Sequence, residues 1–378
     1  MRGVFILVLL TGALVAPNCG AAPDATFPLP AGLESYAEFW KKVFSRYSVN
    51  DVVFFDPADP AKIYGVSRSP DSAEGKTAVD KERMRMITDY DLRDEEGRIR
   101  AQRGAKENFL AGLSVSGRYI ERMKEIFREE GMPADLAYLP LVESSFNWRA
   151  RSSAGAVGMW QFMADTGKKF LRINDVVDER RDPWVSTRAA ARLLKQNYQL
   201  FGNWPLAITA YNHGTEGIFR GIEVTGSKNL ADLIRDYQSP TFGFASKNFY
   251  AEFLAAVYLA KDSEKHFPFL RIKRPLAFKE VVVKRTAPLH AVLKPATIAH
   301  SDFYEWNPAF HSDTKLIPAG YSVKLPPEKV DDFQAAQRRL TAAPAQVAVK
   351  KRNVKGASRP NPSKVKAPEK RKSVTKRA

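Results

Sequence analysis

Ala137-Tyr138-Leu139-Pro140-Leu141-Val142-Glu143-Ser144-Ser145-Phe146 sets one acid inside an otherwise apolar run. Leu139, Val142 and Phe146 stand at i, i+3 and i+7, so a continuous helix would carry them on one face. Glu143, four residues after Leu139, would join them. A carboxylate among apolar side chains loses hydration, and its pKa rises. A glutamate that keeps its proton near neutral pH can hand it to a leaving-group oxygen. By spacing alone a plainer reading competes: a boundary glutamate paired with an arginine or capped by backbone. Pro140 also disturbs the helix on which the face assignment rests.

Two later stretches bear on that choice. Ser152-Ser153-Ala154-Gly155-Ala156-Val157-Gly158-Met159-Trp160-Gln161-Phe162 follows within twenty residues. Its glycines allow tight turns and close backbone approach to a ligand, and Gln161 offers both a donor and an acceptor. Ala210-Tyr211-Asn212-His213-Gly214 ends an apolar helical pattern with a phenol beside an amide. A hydroxyl, an amide and an aromatic face around an acid suit a sugar that carries N-acetyl groups. Taken singly, each has a bland reading: glycines as turns, Gln161 as a surface amide, Tyr211 as a half-buried core residue. Asp165, Asp175, Asp178, Glu179 and Asp182 read as surface or capping acids, and no second acid sits beside the motifs.

Around these stretches the pattern is helical. Tyr36, Phe39, Trp40, Val43 and Phe44 recur at helical spacing, as do Tyr119, Met123, Ile126 and Phe127. Gly131 ends the second of these helices, and Pro133 suits the start of the next. Ser186 or Thr187 can cap a helix that runs to Leu200 and stops at Gly202. Pro205 opens another, and Phe249, Phe253, Leu254, Val257 and Tyr258 mark a long amphipathic one. Residues 66–82 are polar and read as a loop. The absence of βαβ alternation predicts a mainly α fold, with an α-helical N-terminal extension over 23–104.

After Phe267 prolines punctuate the chain. Phe278–Lys284 and Tyr321–Leu325 read as strands flanking two short helices, a small α+β unit within 268–335. Residues 341–378 are low-complexity and should be disordered. They hold twelve basic residues and one acid, so most of the chain's formal charge of +17 sits there. A nucleic-acid-binding domain would carry its charge on a folded face, so nucleic acid is not an expected partner. The tail suits contact with anionic envelope polymers or a membrane surface. At the other end, Arg2, the apolar run Val4–Leu10 and the small residues Gly20-Ala21-Ala22 read as a signal peptide over 1–22. Cleavage there would remove Cys19, the single cysteine. A lipid anchor at Cys19 is the lesser alternative, because Pro17-Asn18 makes a poor acylation site. Cys-based metal sites are excluded, and no metal or cofactor is called for.

In combination and order, Leu139–Asn147, Gly155–Phe162 and Ala210-Tyr211-Asn212 resemble the catalytic domain of lytic transglycosylases. That domain is lysozyme-like and related to goose-type lysozyme, and the resemblance is closest to the membrane-bound lytic murein transglycosylase D branch. It spans roughly 105–262, within a catalytic domain expected over 105–267. It implies Glu143 as the single catalytic acid/base, with Ser152, Gln161, Met163, Tyr211 and Asn212 contacting saccharide or the acid. It further implies cleavage between N-acetylmuramic acid and N-acetylglucosamine to leave 1,6-anhydro ends, in the periplasm or cell envelope. Hydrolytic muramidase action, or wall binding without catalysis, are the alternatives. The 278–326 unit is similar to a degenerate LysM module: Trp306-Asn307-Pro308 and Leu316–Gly320 match, while Arg285-Thr286-Ala287-Pro288 replaces the early Gly-Asp turn.

Overall fold

The computed structural model describes residues 27–92 and 97–342. The expected signal segment and all but the first two residues of the expected tail lie outside the described residues. Helix α1 (Glu34–Ser45) forms where the spacing predicts it, with Tyr36, Phe39, Trp40, Val43 and Phe44 all buried. The purely helical extension needs correction. A three-stranded antiparallel sheet follows α1, built from β1 (Asp51–Asp56), β2 (Asp59–Arg68) and β3 (Arg100–Arg103) in the order β2-β1-β3. The central strand explains why alternation was invisible. Val53 and Phe55 enter the main core, while Val52 and Phe54 pack with Met86 and Ile87 of α2 (Ala73–Asp89). A strand covered on both faces reads as a continuous apolar run. The polar stretch 66–82 is not one loop: it is shared between the end of β2 and the start of α2, which Ser72 caps by accepting from the Gly75 N–H.

The centre is helical: α3 (Lys106–Ser116), α4 (Ile120–Glu129), a tight turn at Ala134–Tyr138, α5 (Pro140–Glu143), α6 (Ala164–Lys168), α7 (Pro183–Phe201), α8 (Trp204–His213), α9 (Thr215–Thr225), α10 (Leu230–Asp236), α11 (Phe244–Lys261) and α12 (Ser263–His266). Caps set the boundaries. Asp182 starts α7 by accepting from the N–H groups of Trp184 and Val185, with Pro183 in the first helical position, and Gly202 ends it at φ 74°. The expected caps, Ser186 and Thr187, lie inside the helix and donate back to the carbonyls of Asp182 and Pro183. Asn203 likewise caps α8, accepting from the Leu206 N–H. Helix α11 touches α1, α5 and α8. Trp40 Nε1 donates to Asn248 Oδ1 at 2.8 Å, and the Tyr250 hydroxyl donates to the Pro28 carbonyl at 2.7 Å, so the N-terminal part braces α11.

The C-terminal unit has the expected strand–helix–helix–strand order, with one small ladder added. It runs β4 (Lys279–Val282), β5 (Ala287–Pro288), α13 (Leu289–Leu293), α14 (His300–Trp306), β6 (Leu316–Ile317) and β7 (Ser322–Leu325), then α15 (Val330–Ala342). β4 pairs antiparallel with β7, and β5 with β6. Helix α15, which packs on α13 and β4, continues past the predicted end at 335.

This unit is fused to the helical body. Val177 belongs to its core, and the Asp178 N–H donates to the Ala309 carbonyl at 2.8 Å. Lys324 Nζ meets Asp182 Oδ2 at 2.6 Å, with side-chain exposures of 3% and 2%. Asn307 clamps the Lys324 backbone from both sides, accepting its N–H and donating to its carbonyl at 2.8 Å each. Removing one partner of such a pair leaves a buried charge uncompensated. Lys324→Met is therefore expected to lower the unfolding free energy by ~3–5 kcal/mol in urea titration. A loss below ~1 kcal/mol, the usual value of an exposed pair, would show that the junction does not depend on it.

Candidate active site

Glu143 ends a single helical turn. Pro140 occupies the first position of α5, and Glu143 N–H bonds to the Leu139 carbonyl at 3.2 Å. The helix stops because Ser145 and Phe146 adopt left-handed conformations, φ 51° and 57°. Their turn brings the Phe146 N–H back onto the Pro140 carbonyl, beside that of Ser144, at 3.1 Å each. Phe146 thus reaches the core through a turn, not through the i+7 face that the sequence pattern supposed. Non-glycine residues at positive φ carry strain and tend to persist where packing over-determines them. Gly112 of α3 provides that packing: a Cβ there would lie 2.9 Å from the Ser145 backbone.

Three side chains grip successive backbone carbonyls of the glycine-rich loop. Gln161 Nε2 donates to Gly158 O at 2.7 Å, Ser144 Oγ to Met159 O at 2.8 Å and the Tyr211 hydroxyl to Trp160 O at 2.7 Å. The loop is held from behind as well. Gly158, at φ 85°, passes so close to Arg180 that a Cβ would fall 1.8 Å from its carbonyl oxygen. Arg180 donates to the Phe162 carbonyl at 3.2 Å, and Trp160, fully buried, donates to Thr187 Oγ1 at 2.9 Å.

The electrostatics single out Glu143. Burial, and after it the nearby Glu252, push its carboxyl up to about 8. Glu252 projects from α11, which packs on α5, and burial lifts it to about 8 as well. No lysine or arginine pairs with either among the described residues. Tyr211 is raised well above the ordinary phenol range by burial and by Glu143. The sequence reading that no second acid accompanies the motifs is therefore corrected. The signal was present: Phe249-Tyr250-Ala251-Glu252-Phe253-Leu254 also holds a lone acid in an apolar run.

The other acids behave oppositely. Asp178 and Glu179 are buried rather than at the surface, Asp178 caps the turn Glu179–Arg181 as the capping reading allowed, and each has its cation: Arg180 at 2.7 Å and Arg172 at 2.8 Å. Burial pushes Asp178 up, but Arg180 outweighs it and holds the carboxyl below its usual range.

The remaining predicted residues are placed less directly. Gln161 sits in a left-handed conformation, φ 47°, its amide nitrogen engaged on Gly158. Asn212 is exposed, and its Oδ1 accepts from Ser246 Oγ at 2.9 Å. Met163 is 45% exposed. Ser152 Oγ accepts the Ala156 N–H at 3.0 Å, closing the turn that carries Gly155. Ser152, Met163 and Asn212 make no hydrogen bond to Glu143.

Residues 123–234 match the Transglycosylase SLT domain profile. Glu143, Gln161 and Tyr211 lie inside the matched span, whereas Glu252 lies beyond it. The chain is 30% identical over 141 residues to "Membrane-bound lytic murein transglycosylase D" of Escherichia coli (strain K12), covering 37% of this chain and 30% of that protein. It is also 38% identical over 106 residues to "Putative tributyltin chloride resistance protein" of Alteromonas sp. (strain M-1), covering 28% of this chain and 50% of that protein. The chain thus matches only a part of either relative. No described helix is long and apolar enough to cross a membrane.

The raised carboxyl has a consequence for stability. A group whose pKa is higher in the folded state binds more protons folded than unfolded, so stability falls as pH rises from about 4.3, the unfolded value, towards the folded one. Glu143, lifted to about 8, opposes folding across that window. Glu143→Gln removes the opposition. In urea titrations it is expected to match wild type near pH 4 and exceed it at pH 8. A variant less stable than wild type at pH 8 would contradict the placement of this carboxyl.

Proposed function

We propose that the protein is an exported lytic transglycosylase that cleaves the MurNAc–GlcNAc β-1,4 bond of peptidoglycan and leaves 1,6-anhydromuramoyl ends. The observation that carries this reading is a carboxyl group, Glu143, held without a cation against Tyr211 in an SLT domain. In the proposed reaction Glu143 gives its proton to the glycosidic oxygen, and GlcNAc leaves with a free C4 hydroxyl. The N-acetyl carbonyl of the muramoyl sugar stabilises the cation developing at C1, the substrate-assisted exception to two-carboxylate chemistry. The C6 hydroxyl then attacks C1 and returns its proton to Glu143, so no water is consumed.

Glu252 fits this scheme better than a two-carboxylate one. A nucleophile or base must be ionised at working pH, and Glu252 is lifted like Glu143 with no cation to hold its charge. Its neutral carboxyl is suited to support Glu143 while that group is transiently ionised. Ser152, Gln161, Met163, Tyr211 and Asn212 are the proposed saccharide contacts. The 268–335 unit is proposed as LysM-like, and the periplasm or cell envelope as the site of action, with the basic tail drawn to anionic polymers there.

Mass spectrometry of a peptidoglycan digest tests the reaction, since anhydro ends are one water lighter than reducing ends. Wild type is expected to release anhydro products. Glu143→Gln should cut turnover by at least ~10²-fold, the scale of general acid catalysis, while staying folded. Reducing ends from wild type would replace the reading with hydrolysis, and an active Glu143→Gln would remove the mechanism.

The pH profile tests the carboxyl pair. Activity requires the protonated acid, so the rate should fall as pH rises through about 8. Both carboxyls are neutral well below that pH, and as it is approached a charge forming on Glu252 makes Glu143 hold its proton longer. Glu252→Gln is therefore expected to move the falling limb to lower pH, and a limb that stays put would dissociate Glu252 from the acid.

A further inference from the structure

A cleft of about 550 Å³ lies where the SLT domain meets the C-terminal unit, and nothing in the proposed reaction uses it. One wall starts at Ser145, two residues after Glu143, and runs through Trp148 and Arg149; the other includes Lys273, Ser301 and Glu305. Two residues of chain span at most ~7 Å, so the start of that wall adjoins the backbone of Glu143. Its walls do not drift apart, because the buried Lys324–Asp182 pair and the Asp178–Ala309 backbone bond lock the C-terminal unit in place.

The charge in the cleft is one-sided. Arg118 is neutralised by Glu305, the single acid of the lining. Arg149 and Lys273 are exposed and form no ion pair among the described residues. The Arg149 guanidinium instead lies over the Trp148 ring, 3.8 Å from its centroid, which fixes the charge and leaves its edge free. On the far side of the Trp148–Arg149 ridge a second depression of about 400 Å³ adds Arg181, also without an ion pair, and Tyr304. Cations without partners, spaced along a cleft and framed by aromatic rings, recognise carboxylates through charge-assisted hydrogen bonds.

We propose that this cleft binds the carboxylate-bearing stem peptide that hangs from the muramoyl sugar being cut. The inference rests on the lytic reading for its substrate. The stem leaves the same ring whose C1–O bond breaks, so in an enzyme acting at Glu143 the adjoining Ser145–Arg149 wall is a surface it can reach. A bare glycan, neutral apart from its lactyl groups, would not need three free cations. The C-terminal unit then serves as one wall of a peptide subsite, whatever its own affinity for glycan.

The test uses the full chain with Arg149→Ala and Lys273→Ala combined, two exposed residues outside the acid's surroundings. Kinetics are measured on peptide-bearing strands and on strands stripped of their peptides by an amidase. The double variant is expected to raise KM about three- to ten-fold on peptide-bearing strands, from two exposed charge contacts. Turnover should be unchanged, the effect on stripped strands, which keep only the lactyl carboxylate, should be clearly smaller, and the difference should shrink as salt rises. Equal loss on both substrates would make the cleft a glycan site, and no loss on either would leave it without a ligand; each outcome overturns the proposal. Binding of the free stem peptide to Glu143→Gln protein, with and without the two alanines, separates this inference from the lytic reading. A wild-type protein inactive on both strands would sink the lytic reading alone, whereas stem-peptide binding indifferent to Arg149 and Lys273 would sink this one.

Discussion

Two carboxyl groups packed between α5 and α11, with no cation paired to them among the described residues, are the constraint around which the rest of the molecule is arranged. An ionised carboxylate in such a place would cost several kcal/mol, so the group keeps its proton instead. The fold meets even the reduced cost from outside the site. Helix α11, which carries Glu252, is held by the buried Trp40–Asn248 bond and by the apolar face of α1. The turn after Glu143 is held by close contact with Gly112. Neither brace touches the acid, yet loosening either would let water in and return the carboxyl to its ordinary state.

The contrast with Asp178, Glu179 and Asp182 gives that constraint its meaning. All five acids are at least partly buried, but these three sit opposite Arg180, Arg172 and Lys324 and serve as structural ties. Breaking such a tie by removing one partner is expensive. An acid without a partner adds nothing comparable to stability and is poised for proton transfer. The three hydrogen bonds onto the carbonyls of Gly158, Met159 and Trp160 then fix what surrounds it, because each comes from a different segment of the chain.

Much of this was legible in the sequence where the signal is local. The helical stripes over 34–45 and 120–129 appear as read, and Tyr211 lies near enough to Glu143 to feel its charge. The strand Val52–Phe55 escaped because burial on both faces erases alternation. Asp182 was read as a surface or capping acid, but the start of α7 was assigned to Ser186 or Thr187, hydroxyls that a helix interior also accepts. Glu252 escaped for a different reason: more than a hundred residues separate it from Glu143, and only the packing of α11 on α5 makes them neighbours. Phe146 was assigned to the right core by the wrong geometry, since a left-handed turn and a helical repeat can deliver the same side chain inward.

The central claim is the protonation state of one side chain, and infrared difference spectroscopy reads it without substrate. Spectra of wild type minus Glu143→Gln at neutral pH should contain the carbonyl stretch of a protonated carboxylic acid, fading only as pH passes about 8. A difference spectrum that shows only the ionised carboxylate at neutral pH would contradict the account.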